Sequence, residues 1–284
     1  MKRFAITGWC QMRIRQMLAE KPETGKDAKE SCDSSRQFID ATAGTGKDTL
    51  FLCDLLGESG GDILSMDIQE MALEKTKARL MKSGYEECPA ERPLIKGYEA
   101  GPAERPLIRG YEAGPAERPL MKGYEAGLAE RPAAVGDDEG RKNPDEDAAG
   151  GSMGREEWAF LTDVSGRKQV RLVLGSHEHM DAYFPARSVD LIMFNLGYLP
   201  GGDHTLATKP ATTLPALEKA LALLKTGGLL SLMIYSGGDS GFEEKEQVLA
   251  WLKGLDPERY MVLIESFYNR PNNPPLPVFI KKML

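Results

Sequence analysis

The sequence predicts an α/β domain doubly wound around a mostly parallel sheet, and three observations carry that prediction. From Arg36 onward, short β-branched and aliphatic runs alternate with longer stretches of helical period. Gly57, Gly84, Gly227 and Gly254 fall where those helices should stop. A chain of 284 residues with 41% hydrophobic content can also fill one sizeable core.

Seven strands are expected, at Gln37 to Ala41, Asp62 to Asp67, Val170 to Leu174, Val189 to Phe194, Leu229 to Tyr235, Met261 to Phe267 and Val278 to Lys282. Helices are expected at Asp48 to Leu56, Glu70 to Lys82, Thr213 to Leu224 and Phe242 to Leu252. The interval 85–167 breaks the rhythm. It holds a thirteen-residue tandem repeat: Ala90 to Pro102 reads AERPLIKGYEAGP, two near copies follow, and a fourth stops after Pro132. Each unit carries Pro, Gly and balanced charge with few apolar groups, so it can bury little. The Asp-, Glu- and Gly-rich stretch after it reads as linker. We expect this interval to be an exposed, disordered insertion within a single domain spanning 1–284, tolerated because closing a long loop costs little extra entropy.

Bulk properties narrow the functional classes. No run of eighteen apolar residues occurs, and the start of the chain mixes Lys2, Arg3, Arg13 and Arg15 among its apolar residues, so neither a membrane span nor a secretion signal is expected. Cys10, Cys32, Cys53 and Cys88 form no CxxC pair, which argues against zinc and against a disulfide framework and fits a reducing cytoplasm. A net charge of −7 argues against non-specific coating of nucleic acid but permits a local basic strip. Oligomeric state stays open, a homodimer included.

The first chemically suggestive stretch runs Asp40-Ala41-Thr42-Ala43-Gly44-Thr45-Gly46-Lys47-Asp48-Thr49, a strand entering a Gly-containing turn and then a helix. A nucleotide-triphosphate loop would need Gly where Ala41 stands and Ser or Thr where Asp48 stands. A dinucleotide fingerprint would need Gly at Thr49, and Asp48 at the helix start would repel a diphosphate. S-adenosylmethionine carries an ammonium and a carboxylate and no phosphate, so a turn offering Asp40 and the amides of Gly44 to Gly46 suits it better. Asp67 closes the second strand twenty-one residues after Gly46, where a carboxylate can accept both ribose hydroxyls. After the third strand, Ser176 or His177 could contact the base edge. His177, His179 and His204 lack a Cys or carboxylate at ligand spacing, so no metal is expected.

On the acceptor side, the fourth strand leads into Asn195-Leu196-Gly197-Tyr198-Leu199-Pro200-Gly201-Gly202-Asp203-His204. Ligands of open α/β sheets collect at the carboxyl ends of strands beside the switch in strand order. The Asn-x-x-Tyr spacing resembles the Asn-Pro-Pro-Tyr of amine-directed methyltransferases, whose amide oxygen accepts an N–H and orients the nitrogen lone pair. In-line displacement at a sulfonium carbon depends on alignment and desolvation, with no metal required. Tyr198 could pack against a base or sugar.

Taken together, the blocks DATAGTGKDTLFL, MDIQ, GSHE, FNLGYLPGGDH, TKPATTLPAL and NRPNNPPLP make the chain resemble the YtqB-like rRNA-methylase family, the MnmM-like wobble-uridine enzymes. That resemblance implies a Rossmann-like class I methyltransferase domain with a C-terminal antiparallel hairpin. It implies methylation of the exocyclic amine of 5-aminomethyl-(2-thio)uridine in the tRNA anticodon region. Asp40, Thr42, Gly44, Thr45, Gly46, Asp48, Thr49, Asp67, Gln69, Ser176 and His177 would line the S-adenosylmethionine pocket. Asn195 and Tyr198 would act on the acceptor, with Gly201, Gly202, Asp203, His204 and the loop residues Asn269, Asn272 and Asn273 facing the uridine. The chain departs from the family at Thr45, where Asn is common, at Lys47, where His is common, and at Ser236, which replaces the His of a usual Tyr-His-Gly. Rival readings are methylation of rRNA or of a small amine, a nicotinamide dehydrogenase, and a non-catalytic RNA-binding module.

Overall fold

The computed structural model describes residues 5–19, 35–88, 156–197, 207–235, 241–271 and 273–284. The described residues all fall in one compact unit, formed by Met1–Tyr98 with Met153–Leu284. The tandem repeats from Ala90 onward therefore lie outside the described residues, as does the character expected of them.

Nine strands form one sheet: β1 Arg36–Asp40, β2 Gly61–Asp67, β3 Tyr85–Cys88, β4 Glu156–Asp163, β5 Lys168–Leu174, β6 Val189–Leu196, β7 Leu224–Ile234, β8 Tyr260–Ile264 and β9 Leu276–Lys282. Their order is β3-β4-β5-β2-β1-β6-β7-β9-β8. The run from β5 to β7 is parallel throughout, whereas β9 pairs antiparallel with both β7 and β8. The chain grows outward from β1 to β2 and β5, then returns to lay β6 on the other side of β1. That reversal opens a crevice above the carboxyl ends of β1 and β6.

Both faces of the sheet are covered, which is why β2 is buried from Gly61 through Met66. The helices α1 Ile6–Ala19, α2 Lys47–Leu56 and α3 Glu70–Lys82 pack with Phe38, Ile63 and Leu191 in one cluster. The 3-10 turn His177–Ala182 and the helices α4 Pro210–Leu223 and α5 Gly241–Lys253 pack with Ile39, Leu64 and Ile192 on the opposite face.

The structure corrects the sequence reading in three places. Seven strands become nine, because residues 85–88 and 156–163 of the interval read as insertion are an antiparallel pair added beyond β5. Charged neighbours hid this pair. Lys77 reaches Glu87 at 2.7 Å and lies over the Trp158 ring at 5.3 Å, while Arg171 pairs with Glu157 at 2.7 Å. Next, α1 has no counterpart in the predicted elements, although Cys10, Ile14 and Met17 recur at helical spacing and are buried. Lastly, Gly227 does not stop a helix. α4 ends at Leu223, and Gly227, at φ 78°, lies in a bulge of β7 where the register against β6 shifts between Val189 and Leu191.

Strand β9 places consecutive lysines on opposite faces, since side chains alternate along a strand. Lys281 Nζ donates to Met17 O at 2.7 Å near the end of α1. Lys282 Nζ donates to Leu221 O at 2.8 Å and Leu224 O at 2.9 Å, capping the last turn of α4. Burial, together with Arg187 and Arg259, pushes the Lys282 pKa down. Lys282→Met keeps the stem but orphans two carbonyls, and should destabilise the fold by about 1–3 kcal/mol. An unchanged urea midpoint would show that the cap is dispensable.

Candidate cofactor and acceptor site

The turn after β1 is laced to both neighbouring strands. Ala41 N–H donates to Met193 O of β6 at 2.9 Å, and Ala43 N–H to Met66 O of β2 at 2.8 Å. Gly44 and Gly46 take positive φ of 53° and 73°. A Cβ on Gly46 would stand 2.7 Å from Thr76 Cα of α3, so backbone approach as well as conformation demands glycine there. Arg79 of α3 donates through Nε to Thr45 O at 2.7 Å, clamping the turn from the same side.

Three carboxylates meet at this turn, each held differently. Asp40 is fully buried; Oδ1 accepts from Thr42 N–H at 3.2 Å and Oδ2 from the Thr49 hydroxyl at 2.7 Å. Thr49 is equally buried and pairs with Ser65 Oγ at 2.9 Å. Burial first, then the charge of Asp48, pushes the Asp40 pKa up to about 7. Asp67 is half-buried and accepts from Gly44 N–H and Gln69 N–H, each at 2.9 Å. Burial raises its pKa against the pull of those amides. Asp48, in the first turn of α2 where a carboxylate complements the helix dipole, accepts from Asn195 Nδ2 at 2.7 Å and from Gln11 Nε2 at 3.4 Å.

Asn195 is the penultimate residue of β6, and its backbone N–H donates to Thr42 Oγ1 at 2.8 Å. The crevice thus gathers Thr42, Gly44, Thr45, Gly46, Asp48, Asp67, Gln69 and Asn195 from the sequence-derived set. Asp40 and Thr49 lie beneath the turn as its braces. Ser176 caps the 3-10 turn, accepting from Glu178 N–H at 3.3 Å. His177 is buried edge-on against Phe194, ring centroids 5.6 Å apart, and burial lowers its pKa. Asn269 and Asn273 are exposed between β8 and β9, with Asn273 at φ 45°. Tyr198, Gly201, Gly202, Asp203, His204, Asn272 and Ser236 lie outside the described residues.

Several contributors escaped the sequence reading. Gly197 and Thr208 are bonded to each other: Thr208 N–H donates to Gly197 O at 2.9 Å, and Gly197 N–H to Thr208 Oγ1 at 2.8 Å. Buried Glu244 of α5 anchors the bridge, accepting from the Thr208 hydroxyl at 2.8 Å and the Thr213 hydroxyl at 2.7 Å. Tyr235, following β7, lies against Gly197. On α1, Trp9 Nε1 and Arg13 Nε both donate to Glu265, the latter at 2.7 Å. Cys10, buried beside Glu265 and Asp48, has its pKa pushed up to about 12.

The order β5-β2-β1-β6-β7-β9-β8, with β9 reversed and the glycine turn at the switch point, defines a Rossmann-like class I methyltransferase fold. Residues 157–281 match the model of the family described as "Putative rRNA methylase". The chain is 40% identical over 128 residues to the "tRNA (mnm(5)s(2)U34)-methyltransferase, chloroplastic" of Arabidopsis thaliana, a match covering 44% of this chain and 47% of that protein. It thus spans about half the length of the curated relative it matches. Among solved structures it is similar to the "putative rRNA-methylase" of Clostridium thermocellum, with TM-score 0.60, 28% identity and full coverage of both chains. A "putative methyltransferase" of Streptococcus mutans in complex with SAH shares the fold at TM-score 0.55 and 23% identity, over 96% of this chain and 97% of that one. No described helix is long and apolar enough to cross a membrane.

The raised Asp40 pKa has a stability consequence. Its proton is held more tightly in the folded chain than in the unfolded one, so stability from this group is fully present below about pH 4 and is lost as pH rises to about 7. Asp62, pushed up to about 6 by burial, adds a slope of the same sign. Asp40→Asn should remove the larger part of the fall in urea midpoint between pH 4 and 7, and an unaltered slope would refute this assignment.

Proposed function

We propose that the chain is an S-adenosylmethionine-dependent methyltransferase acting on the exocyclic amine of 5-aminomethyl-(2-thio)uridine at the tRNA wobble position. The observation that carries this reading is the pairing across one turn of a ribose-competent carboxylate, Asp67, with an amide, Asn195, at the switch point. The name of the Arabidopsis relative and the SAH complex of the Streptococcus mutans protein support it.

The residues fit such a donor better than a nucleotide phosphate. Asp48 puts negative charge at the helix N-terminus where a diphosphate would sit, whereas Asp67 retains lone pairs beyond its bonds to the Gly44 and Gln69 amides. The Gly44–Gly46 turn would lie against the methionine part of the donor, Asp67 would receive the ribose hydroxyls, and Gln69 the neighbouring sugar edge. The bound donor would supply a sulfonium methyl for displacement by a neutral amine. Asn195 would accept one N–H of that amine and set its lone pair in line, supplying alignment and leaving charge neutral at the acceptor. A tRNA anticodon as partner, action in the cytoplasm and a homodimeric state belong to the same proposal.

Two measurements test it. Calorimetry should give heat with S-adenosylmethionine and its demethylated product for the folded wild type. Asp67→Ala should weaken that binding about tenfold to a hundredfold, the loss of a hydrogen-bonding charged group. Asn195→Ala should leave binding intact and slow turnover by a similar factor. In cells lacking the protein, wobble nucleosides should accumulate the unmethylated amine by mass spectrometry; a normal nucleoside profile would discard the tRNA assignment.

A further inference from the structure

Asn195 is held at both ends, and the bonds are unequal in what they dictate. Its backbone N–H is fixed on Thr42, which places the Cα. Its side-chain amide faces Asp48 Oδ2 at 2.7 Å. A carboxylate only accepts, so the group turned toward Asp48 has to be the NH2, and the carbonyl Oδ1 has to point the other way. No described group donates to that oxygen. Asp48 is in turn steadied from α1, by Gln11 at 3.4 Å, and by the dipole of the helix whose first turn it occupies. α1 itself is tied down through Trp9 and Arg13 to Glu265 and through Met17 O to Lys281.

An unrestrained asparagine offers either end of its amide. With NH2 outward, it would recognise a carbonyl or imine acceptor atom; with oxygen outward, it recognises an N–H. We propose that Asp48 is a positioning residue that locks Asn195 with its carbonyl oxygen toward the acceptor, so that the site selects acceptors carrying an N–H. This rests on the methyl-transfer reading above and reassigns Asp48 from lining the cofactor to orienting the amide. The flipped amide would set Oδ1 against a carboxylate oxygen and lose a charged hydrogen bond, a preference of about tenfold to a hundredfold.

The test joins a structural readout to a kinetic one on the full chain. In nitrogen-15 spectra without ligand, the Asn195 side-chain amide, identified by its disappearance in Asn195→Ala, should have one proton shifted downfield and slow to exchange. In Asp48→Ala that signature should vanish, and an unchanged amide there would overturn the lock regardless of activity. With S-adenosylmethionine and tRNA from cells lacking the protein, Asp48→Ala should lower kcat about tenfold to a hundredfold while the donor Kd stays within about twofold. Asp48→Asn, which can still accept through its own carbonyl, should recover part of that rate. Adding Asp48→Ala to Asn195→Ala should cost nothing further, because the two act as one unit. Additive losses, or a weakened donor Kd with kcat intact, would instead make Asp48 a direct contact and end the proposal. A wild type that binds no donor or methylates no tRNA would count against the function and leave the spectroscopic arm to decide the lock.

Discussion

The turn between β1 and α2 has to hold three carboxylates, and the way each is satisfied fixes the geometry around it. Desolvated carboxylates clustered together would be costly without donors. Asp40 draws its bonds from Thr42 and Thr49, Asp67 from the amides of Gly44 and Gln69, and Asp48 from Gln11 and Asn195. No two share a donor. Segments far apart in sequence, from α1 to β6, are therefore registered against the stretch from Asp40 to Thr49, and displacing any one of them leaves a carboxyl group short of a partner.

The outer frame follows a similar logic at lower charge density. β9 enters the sheet antiparallel, between β7 and β8, and its two final lysines close the carboxyl ends of helices on opposite faces. Glu244 does comparable work from α5, fixing Thr208 and Thr213 and through them the bridge to Gly197. Gly197 and Thr208, the described residues near either end of 198–206, are thus fixed to each other and to α5. Buried polar groups with complete hydrogen bonding confer this kind of positional definition, which apolar packing does not.

How much of this the sequence disclosed depended on the range of the interaction involved. The parallel strands announced themselves through runs such as Ile63-Leu64 and Val189 to Phe194, where burial on both faces leaves little room for polar residues. Gly44, Gly46 and Asp67 were readable because their spacing along the chain is itself the constraint. β3 and β4 were not, since an edge pair tolerates charge and its partners lie on either side of a long interval. Asp48 was noticed for its charge but not for its partner: its bond to Asn195 joins residues 147 positions apart. Glu244 left no local mark at all, because its two threonines become neighbours only once α5 packs beside α4.

Charge, more than shape, separates this turn from a phosphate loop. Its backbone has the positive-φ glycines and the open helix N-terminus that phosphate sites use, and the amides alone would welcome an anion. Acidic side chains oppose that preference here: Asp48 stands in the first turn of the helix, Asp67 takes the Gly44 N–H, and the Gly46 N–H is spent on Ala43 O. A ligand matched to this pattern brings positive charge, as the sulfonium and ammonium of the proposed donor would. The acceptor side then cannot also be strongly anionic, or it would hold the incoming amine as an unreactive ammonium. Asp48 reaches the acceptor side only through the Asn195 amide, so the group offered to the amine is itself neutral.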